Sequence, residues 1–186
     1  GRKIEFNNSQ SVFNLGCGNQ RYPHVTGVDV VSTSAADIIH DLDKAPWPIP
    51  NASADVILAF HLLEHVENLP RFMEEIYRIA KPNARIIIEV PYFRSVLAYQ
   101  DPTHRRFFTT RTLDYFCPKK GLGRYGYAKA DFELAGWWLG WPFASKNMFK
   151  EAAKRFFRNH QDWYDRYLSR LYAVDILVFE LIAIKR

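Results

Sequence analysis

Two glycines one residue apart, in Asn14-Leu15-Gly16-Cys17-Gly18-Asn19, join an apolar run to a second run that ends in an acid, Gly27-Val28-Asp29-Val30. This pattern constrains the fold more than any other part of the chain. Glycine has no Cβ, so φ can be positive and the backbone can approach a ligand closely. An acid closing the next strand can accept hydrogen bonds from both hydroxyls of a ribose. At the carboxyl ends of two neighbouring parallel strands, such a turn and acid make a nucleoside-binding arrangement. A dinucleotide fingerprint demands more: a third glycine, a helix N-terminus for the pyrophosphate and an acid about 20 residues on. Here the third glycine is absent and Asp29 follows Gly18 by 11 residues. Only residues 19–24 separate the turn from the next strand, too few for a crossover helix. A nucleoside without phosphate is favoured over a pyrophosphate.

The rest of the first half reads as an open, mostly parallel α/β sheet. Residues 11–15, 25–30 and 36–40 are short apolar runs with the character of strands. Pro46, Pro48 and Pro50 make the next segment a loop. Residues 55–60 are near-continuously apolar, as expected of a strand covered on both faces. Apolar residues at 69, 72, 73, 76, 79 and 80 have helical spacing, with Asn68 to cap the helix and Pro82 beyond its end. Residues 84–90 form another buried-type strand, ended by Pro91. In the second half, 110–116 reads as a short helix, 130–138 as a strand, 146–172 as helical with a break near Asn159-His160, and 174–185 as a strand. The expected fold is a Rossmann-like sheet with helices on both faces and an antiparallel C-terminal strand.

A chain of 186 residues, 48% hydrophobic and 24% charged, suits one globular domain. No apolar run approaches the ~20 residues of a membrane span, and residues 1–10 lack a signal-peptide core. Cys17 and Cys117 give no disulfide framework, so the cytoplasm is the expected compartment. The formal charge is +5, and basic and aromatic residues crowd the second half (Arg105, Arg106, Lys119, Lys120, Trp137, Trp138, Trp141). A solvated basic face over an aromatic core is the favoured reading; a surface for nucleic acid or anionic lipid is the rival.

At the glycine turn and beyond it, the chain resembles the S-adenosylmethionine-dependent methyltransferases of the Rossmann-like class, in particular small type 11-like members with a shortened first half. The resemblance rests on Asn14 to Gly18, Gly27 to Val30, His40-Asp41-Leu42, Ala54 to Ile57, His61-Leu62-Leu63-Glu64-His65-Val66 and Lys81 to Arg85. Asp101 to Thr109 and Phe179-Glu180-Leu181 resemble later segments of some members. It implies one domain over 1–186, with a cofactor-binding core at 11–93, acceptor-side insertions at 94–172 and a terminal strand at 173–186. It implies S-adenosyl-L-methionine as cofactor, held by Asn14, Leu15, Gly16, Cys17, Gly18, Asp29, Val30, Asp41, Leu42 and His61. Within that set the glycines pack against methionine and ribose, Asp29 takes the ribose hydroxyls, Asp41 and Leu42 meet the adenine edge, and His61 lines the floor near the sulfonium. Asn14 stands where many members carry an acid.

Methyl transfer from a sulfonium is an in-line displacement that needs alignment above all, and a hydroxyl acceptor also benefits from a base near neutral pKa. His61 and His104 are the candidates, with Asp101 three residues before His104 to orient it; a simple turn at Asp101-Pro102-Thr103-His104 is the alternative. His65 reads as structural, and Cys17 lacks ligand-spaced partners, so no metal site is expected. Tyr92, Tyr99 and Arg105 are candidates for the acceptor wall. No Asn-Pro-Pro-Tyr or Asp-Pro-Pro-Tyr follows the fourth strand, which argues against amino-methylating DNA enzymes. A hydroxyl or amine of a small molecule or glycan leads by elimination. RNA methylation, or a non-catalytic module binding nucleic acid or a partner, stands behind it.

Overall fold

The computed structural model describes residues 6, 7, 9–141, 152, 156, 157, 159–171 and 174–185. The elements are β1 (Val12–Leu15), β2 (Val25–Asp29), β3 (Ile38–Ile39), β4 (Ala54–Phe60), α1 (Leu69–Ile79), β5 (Ala80–Pro91), α2 (Leu97–Gln100), β6 (Phe132–Leu139), α3 (Gln161–Arg166) and β7 (Ile176–Ala183). Short 3₁₀ turns cover Thr112–Phe116, Gly121–Tyr125 and Leu168–Arg170. The seven strands form one sheet in the order β3-β2-β1-β4-β5-β7-β6. Pairs among β1 to β5 are parallel, and β7 runs antiparallel to both β5 and β6. The order reverses at β1, between β2 and β4, and open α/β sheets bind ligands at the carboxyl ends of strands at such a switch.

Alternation along the strands sorts the apolar residues into two cores. Leu15, Val28, Ile57, Ala59, Ile86, Ile88, Leu177 and Phe179 share one cluster with Phe72, Met73, Ile76 and Ile79 of α1 and Tyr164 of α3. Val12, Val56, Leu58, Phe60, Ile87 and Val178 form the opposite face, against which Phe6, Tyr22, Trp138 and Trp141 pack. Helix α1 starts as its sequence requires: the Asn68 side chain accepts from Arg71 N at 3.0 Å. The proline-rich loop lies over α1, with Trp47 set edge-on to Phe72 at 5.0 Å. Arg78 Nη1 and Nη2 donate to Ile49 O and Trp47 O at 2.8 and 3.1 Å, which locks the loop there.

Between β1 and β2, and between β2 and β3, no helix occurs among the described residues. Gly27 shows how the chain closes without one. A Cβ on Gly27 would stand 2.0 Å from Ala35 O, so the β2–β3 link lies directly against the strand. Asp37 Oδ2 accepts from Gly27 N at 2.8 Å, which helps fasten the link. The strand expected over 36–40 is reduced to Ile38–Ile39 because Asp37 is used in this clasp. The helix expected over 110–116 is a 3₁₀ turn. Of the helical stretch expected over 146–172, residues 146–151, 153–155, 158 and 172 lie outside the described residues; α3 begins after His160, near the expected break.

Candidate functional site

The glycine turn folds back onto the end of β2. Gly16 and Gly18 have φ of 64° and 53°, in the left-handed region that glycine tolerates without strain. Gly16 N and Cys17 N both donate to Val28 O, at 2.8 and 3.1 Å. A Cβ on Gly16 would sit 2.9 Å from Leu62 Cδ1, whereas one on Gly18 would meet nothing within 4 Å. Gly16 is therefore packed beneath Leu62, and Gly18 borders open space. Asp29 reaches across to the turn: its Oδ2 accepts from Gly18 N at 2.8 Å and its Oδ1 from Val31 N at 3.0 Å. A carboxylate has roughly four acceptor positions. Two are taken by backbone, which leaves two on this half-buried side chain.

The neighbours of Asp29 divide into exposed and committed groups. Val30, Val31 and Ile39 are 62%, 59% and 59% exposed at the carboxyl ends of β2 and β3, an apolar surface that a flat base could cover. Leu42 is buried in the main core, and its carbonyl accepts from Trp47 Nε1 at 2.9 Å. Asp41 Oδ1 accepts from Asp43 N at 3.1 Å, and Oδ2 faces Lys44 Nζ at 3.3 Å. The Asp43 amide holds the Asp41 carboxyl below its usual range. Asn14 is buried, and its Nδ2 donates to Gln20 O at 3.4 Å, tying β1 to the glycine loop. Cys17 is buried, and burial, with Asp29 nearby, pushes its thiol pKa up, which suits a space-filling residue.

His61 follows β4 with φ of 51°, and its amide donates to Glu89 O at 2.9 Å. Its ring lies between two carboxylates. Nε2 is 2.8 Å from Glu89 Oε1, and Nδ1 is 3.4 Å from Glu64 Oε1. Both acids are buried to about 1% exposure, while the His61 side chain is 41% exposed. The Glu64 carboxylate, and then that of Glu89, raises the imidazole pKa from 6.5 to about 9. His61 is therefore an imidazolium at neutral pH and has no lone pair with which to take a proton. Trp141 Nε1 donates to the other Glu89 oxygen.

The loops after β4 and β5 are fastened together by Arg105 N, which donates to Glu64 O at 2.8 Å. This sets His65 against His104, edge to face, with ring centroids 4.7 Å apart. Asp101 does not orient the His104 ring. Its Oδ1 accepts from Thr103 N and Thr103 Oγ1, at 2.8 and 2.7 Å. Thr103 Oγ1 in turn lies 2.9 Å from His65 Nδ1, so Asp101 acts on His65 through Thr103. His104 Nδ1 is held by Ala98 O at 3.0 Å. A carbonyl only accepts, so Nδ1 carries a proton and Nε2 is the nitrogen left to face the cluster. His61 and His104 do not pair with each other; Glu64 stands next to both.

Of the candidate wall residues, Tyr92 is fully buried and its Oη donates to Asp165 Oδ1 at 2.7 Å, so it belongs to the core. Tyr99 is exposed and stacks on Phe107 at 4.7 Å, and Arg105 Nη1 pairs with Glu67 Oε1 at 2.8 Å. Glu64, Glu89 and Thr103 are participants that the sequence reading passed over. The signal for Glu89 was available: a lone acid inside Arg85-Ile86-Ile87-Ile88-Glu89-Val90 needs a cationic partner once both faces of the sheet are covered.

A family model described as "Methyltransferase domain" matches residues 8–147. A probable S-adenosylmethionine-dependent methyltransferase of Mycolicibacterium smegmatis is 31% identical over 71 residues, 38% of this chain. The chain spans only 23% of that relative's length. Among solved structures, the YcgJ protein of Bacillus subtilis superposes with a TM-score of 0.58 at 13% identity, over 98% of this chain and 95% of that one. A SAM-dependent methyltransferase of Archaeoglobus fulgidus gives 0.55 at 18% identity, over 93% and 86%. At these identities the structural likeness speaks for the fold.

Proposed function

Because the chain belongs to the methyltransferase-domain family, we propose that it transfers a methyl group from S-adenosylmethionine to a hydroxyl or amine of a small-molecule or glycan acceptor. The observation that carries this reading is the Asp29 carboxylate bonded to Gly18 N beside an open Gly18 face. That pairing fits a ribose with no phosphate on it. Two acceptor positions of Asp29 take the ribose hydroxyls, and the exposed Val30 supports the apolar face of the base. The Asp41 and Leu42 segment lines the adenine edge. Asn14, Leu15, Gly16 and Cys17 shape the turn from beneath.

The bound cofactor supplies an already activated methyl group, so the protein's work is alignment and exclusion of water. His61, as an imidazolium between Glu64 and Glu89, positions the floor by joining the ends of β4 and β5. The acceptor side lies over the loops after β4 and β5, where His65 and His104 present ring nitrogens. A ring nitrogen with a free lone pair there suits a hydroxyl acceptor, whose proton it can take.

Calorimetric titration with S-adenosylhomocysteine tests the proposal. Wild-type protein is expected to bind in the micromolar range, and Asp29→Ala to weaken binding roughly 10- to 100-fold through lost charge-assisted hydrogen bonds. A far-ultraviolet dichroism spectrum guards against misfolding. Absence of both heat and thermal shift in the wild type overturns the reading.

A further inference from the structure

Among the described residues, one group of side chains has the composition of a cation site: Glu64, His65 and His104, each offering a ligand atom within 4.8 Å of the other two. Three independent features of the geometry support it. Glu64 is about 1% exposed, yet neither carboxylate oxygen has a hydrogen-bond partner. His61 Nδ1 lies 3.4 Å from Oε1, an ion pair without hydrogen-bond geometry, and Oε2 has no hydrogen bond either. A buried carboxylate left in that state is costly. Next, both imidazoles have their Nδ1 engaged from behind. His104 Nδ1 donates to Ala98 O, and His65 Nδ1 donates to Thr103 Oγ1, whose own proton goes to Asp101. Each ring is thereby fixed in the tautomer with a free Nε2 lone pair, the second-shell support that ligating histidines carry. Last, the Arg105 N to Glu64 O bond pins the two ligand-bearing loops together, so the cluster is built into the fold.

We infer that Glu64, His65 and His104 bind a divalent first-row transition cation at the carboxyl edge of β4 and β5. Two imidazoles and one carboxylate suit Zn²⁺, Mn²⁺ or Co²⁺; Mg²⁺ and Ca²⁺ prefer oxygen ligands throughout. Bonds of about 2.0–2.1 Å put tetrahedral ligand atoms roughly 3.3–3.4 Å apart, so atoms lying within 4.8 Å of one another close by up to roughly 1.4 Å on binding. Three protein ligands leave coordination positions open, as in sites that act on substrates. The catalytic consequence rests on the methyl-transfer reading: an oxygen acceptor can enter as a further ligand and be oriented there. The cation site itself does not depend on that reading. It replaces the sequence expectation that the chain has no metal site.

The test uses the chelator-treated 186-residue chain titrated with Zn²⁺ and Mn²⁺ by calorimetry, with Co²⁺ as an optical probe. One equivalent is expected to bind, Co²⁺ developing visible bands on ligation, and Mg²⁺ to give no comparable heat. Glu64→Gln and His104→Ala are each expected to weaken binding at least roughly ten-fold, and Asp101→Asn to weaken it less, through Thr103 and His65. S-adenosylhomocysteine binding by the same variants separates this inference from the methyltransferase reading. If wild-type protein takes up neither Zn²⁺ nor Mn²⁺, or if both ligand variants bind as tightly as wild type, the inference is overturned whatever the nucleoside result. Should Glu64→Gln fail to fold, His104→Ala, on a half-exposed loop, decides the matter alone.

Discussion

The two acids around His61 make folding stability depend on pH in a defined direction. The folded imidazole has a pKa of about 9, raised by Glu64 and then by Glu89; unfolded, it returns to about 6.5. The folded state binds this proton more tightly. The resulting stabilisation is fully present below about pH 6.5 and is lost as pH rises through about 9. Taken at face value the shift corresponds to a ceiling of roughly 3 kcal/mol. The ring is 41% exposed, and solvent screening lowers the expected contribution to about 1–2 kcal/mol. Urea unfolding at constant ionic strength, measured from pH 6 to about pH 10, reads this directly when wild type is compared with His61→Gln. Other titrating groups are common to both proteins and largely cancel. The wild-type advantage should shrink by about 1–2 kcal/mol over that range. A parallel NMR titration of the His61 Cε1–H resonance should show its midpoint near 9. If that resonance titrates near 6.5, or the difference between the two proteins is flat, the two-acid account of His61 is refuted.

Other consequences are equally direct. Gly27→Ala drives a methyl group toward Ala35 O at 2.0 Å. Overpacking against backbone should cost about 3 kcal/mol and lower the melting temperature by roughly 10 °C; an unchanged melting temperature would mean that the β2–β3 link does not press on the strand. Tyr92→Phe removes the donor to Asp165 Oδ1 while Thr110 N and Oγ1 continue to hold Oδ2. It should destabilise by about 1–3 kcal/mol in urea titration, and no loss would show that the phenol makes no net contribution.

The parts of the fold that were legible in the sequence are those where one local pattern had one physical cause. Residues 56–60 and 86–88 are apolar throughout because the sheet is covered on both faces, and the spacing from Leu69 to Ile79 reflects the single buried stripe of α1. The glycine turn and Asp29 were readable for a similar reason. Both glycines have positive φ, and the acid 11 residues on bonds to Gly18 N, as two adjacent parallel strands require. Elements of four or five residues, such as α2 and the 3₁₀ turn at Thr112–Phe116, are too short to carry a period. β3 is short because Asp37 is drawn into the Gly27 clasp, a competition that no local window contains.

The acceptor side was less legible because its pairings cross between loops. Sequence spacing connects Asp101 with His104, three residues on, and suggests that one orients the other. In the folded chain β4 and β5 are neighbours, so the loops that follow them lie side by side. Asp101 then finds Thr103 and, through it, His65, while His104 turns to Ala98 O. His61 shows the same effect in its charge. Glu64 is visible as a close neighbour in the sequence, but Glu89 is 28 residues away and reaches His61 only because β5 pairs with β4. A histidine next to one exposed acid would remain a candidate base. Placed between two buried acids it becomes a cation, whereas His65 and His104 are held through Nδ1 by Thr103 and the Ala98 carbonyl. The different surroundings of the three histidines are therefore a property of strand order, and they follow from which loops the parallel sheet brings together.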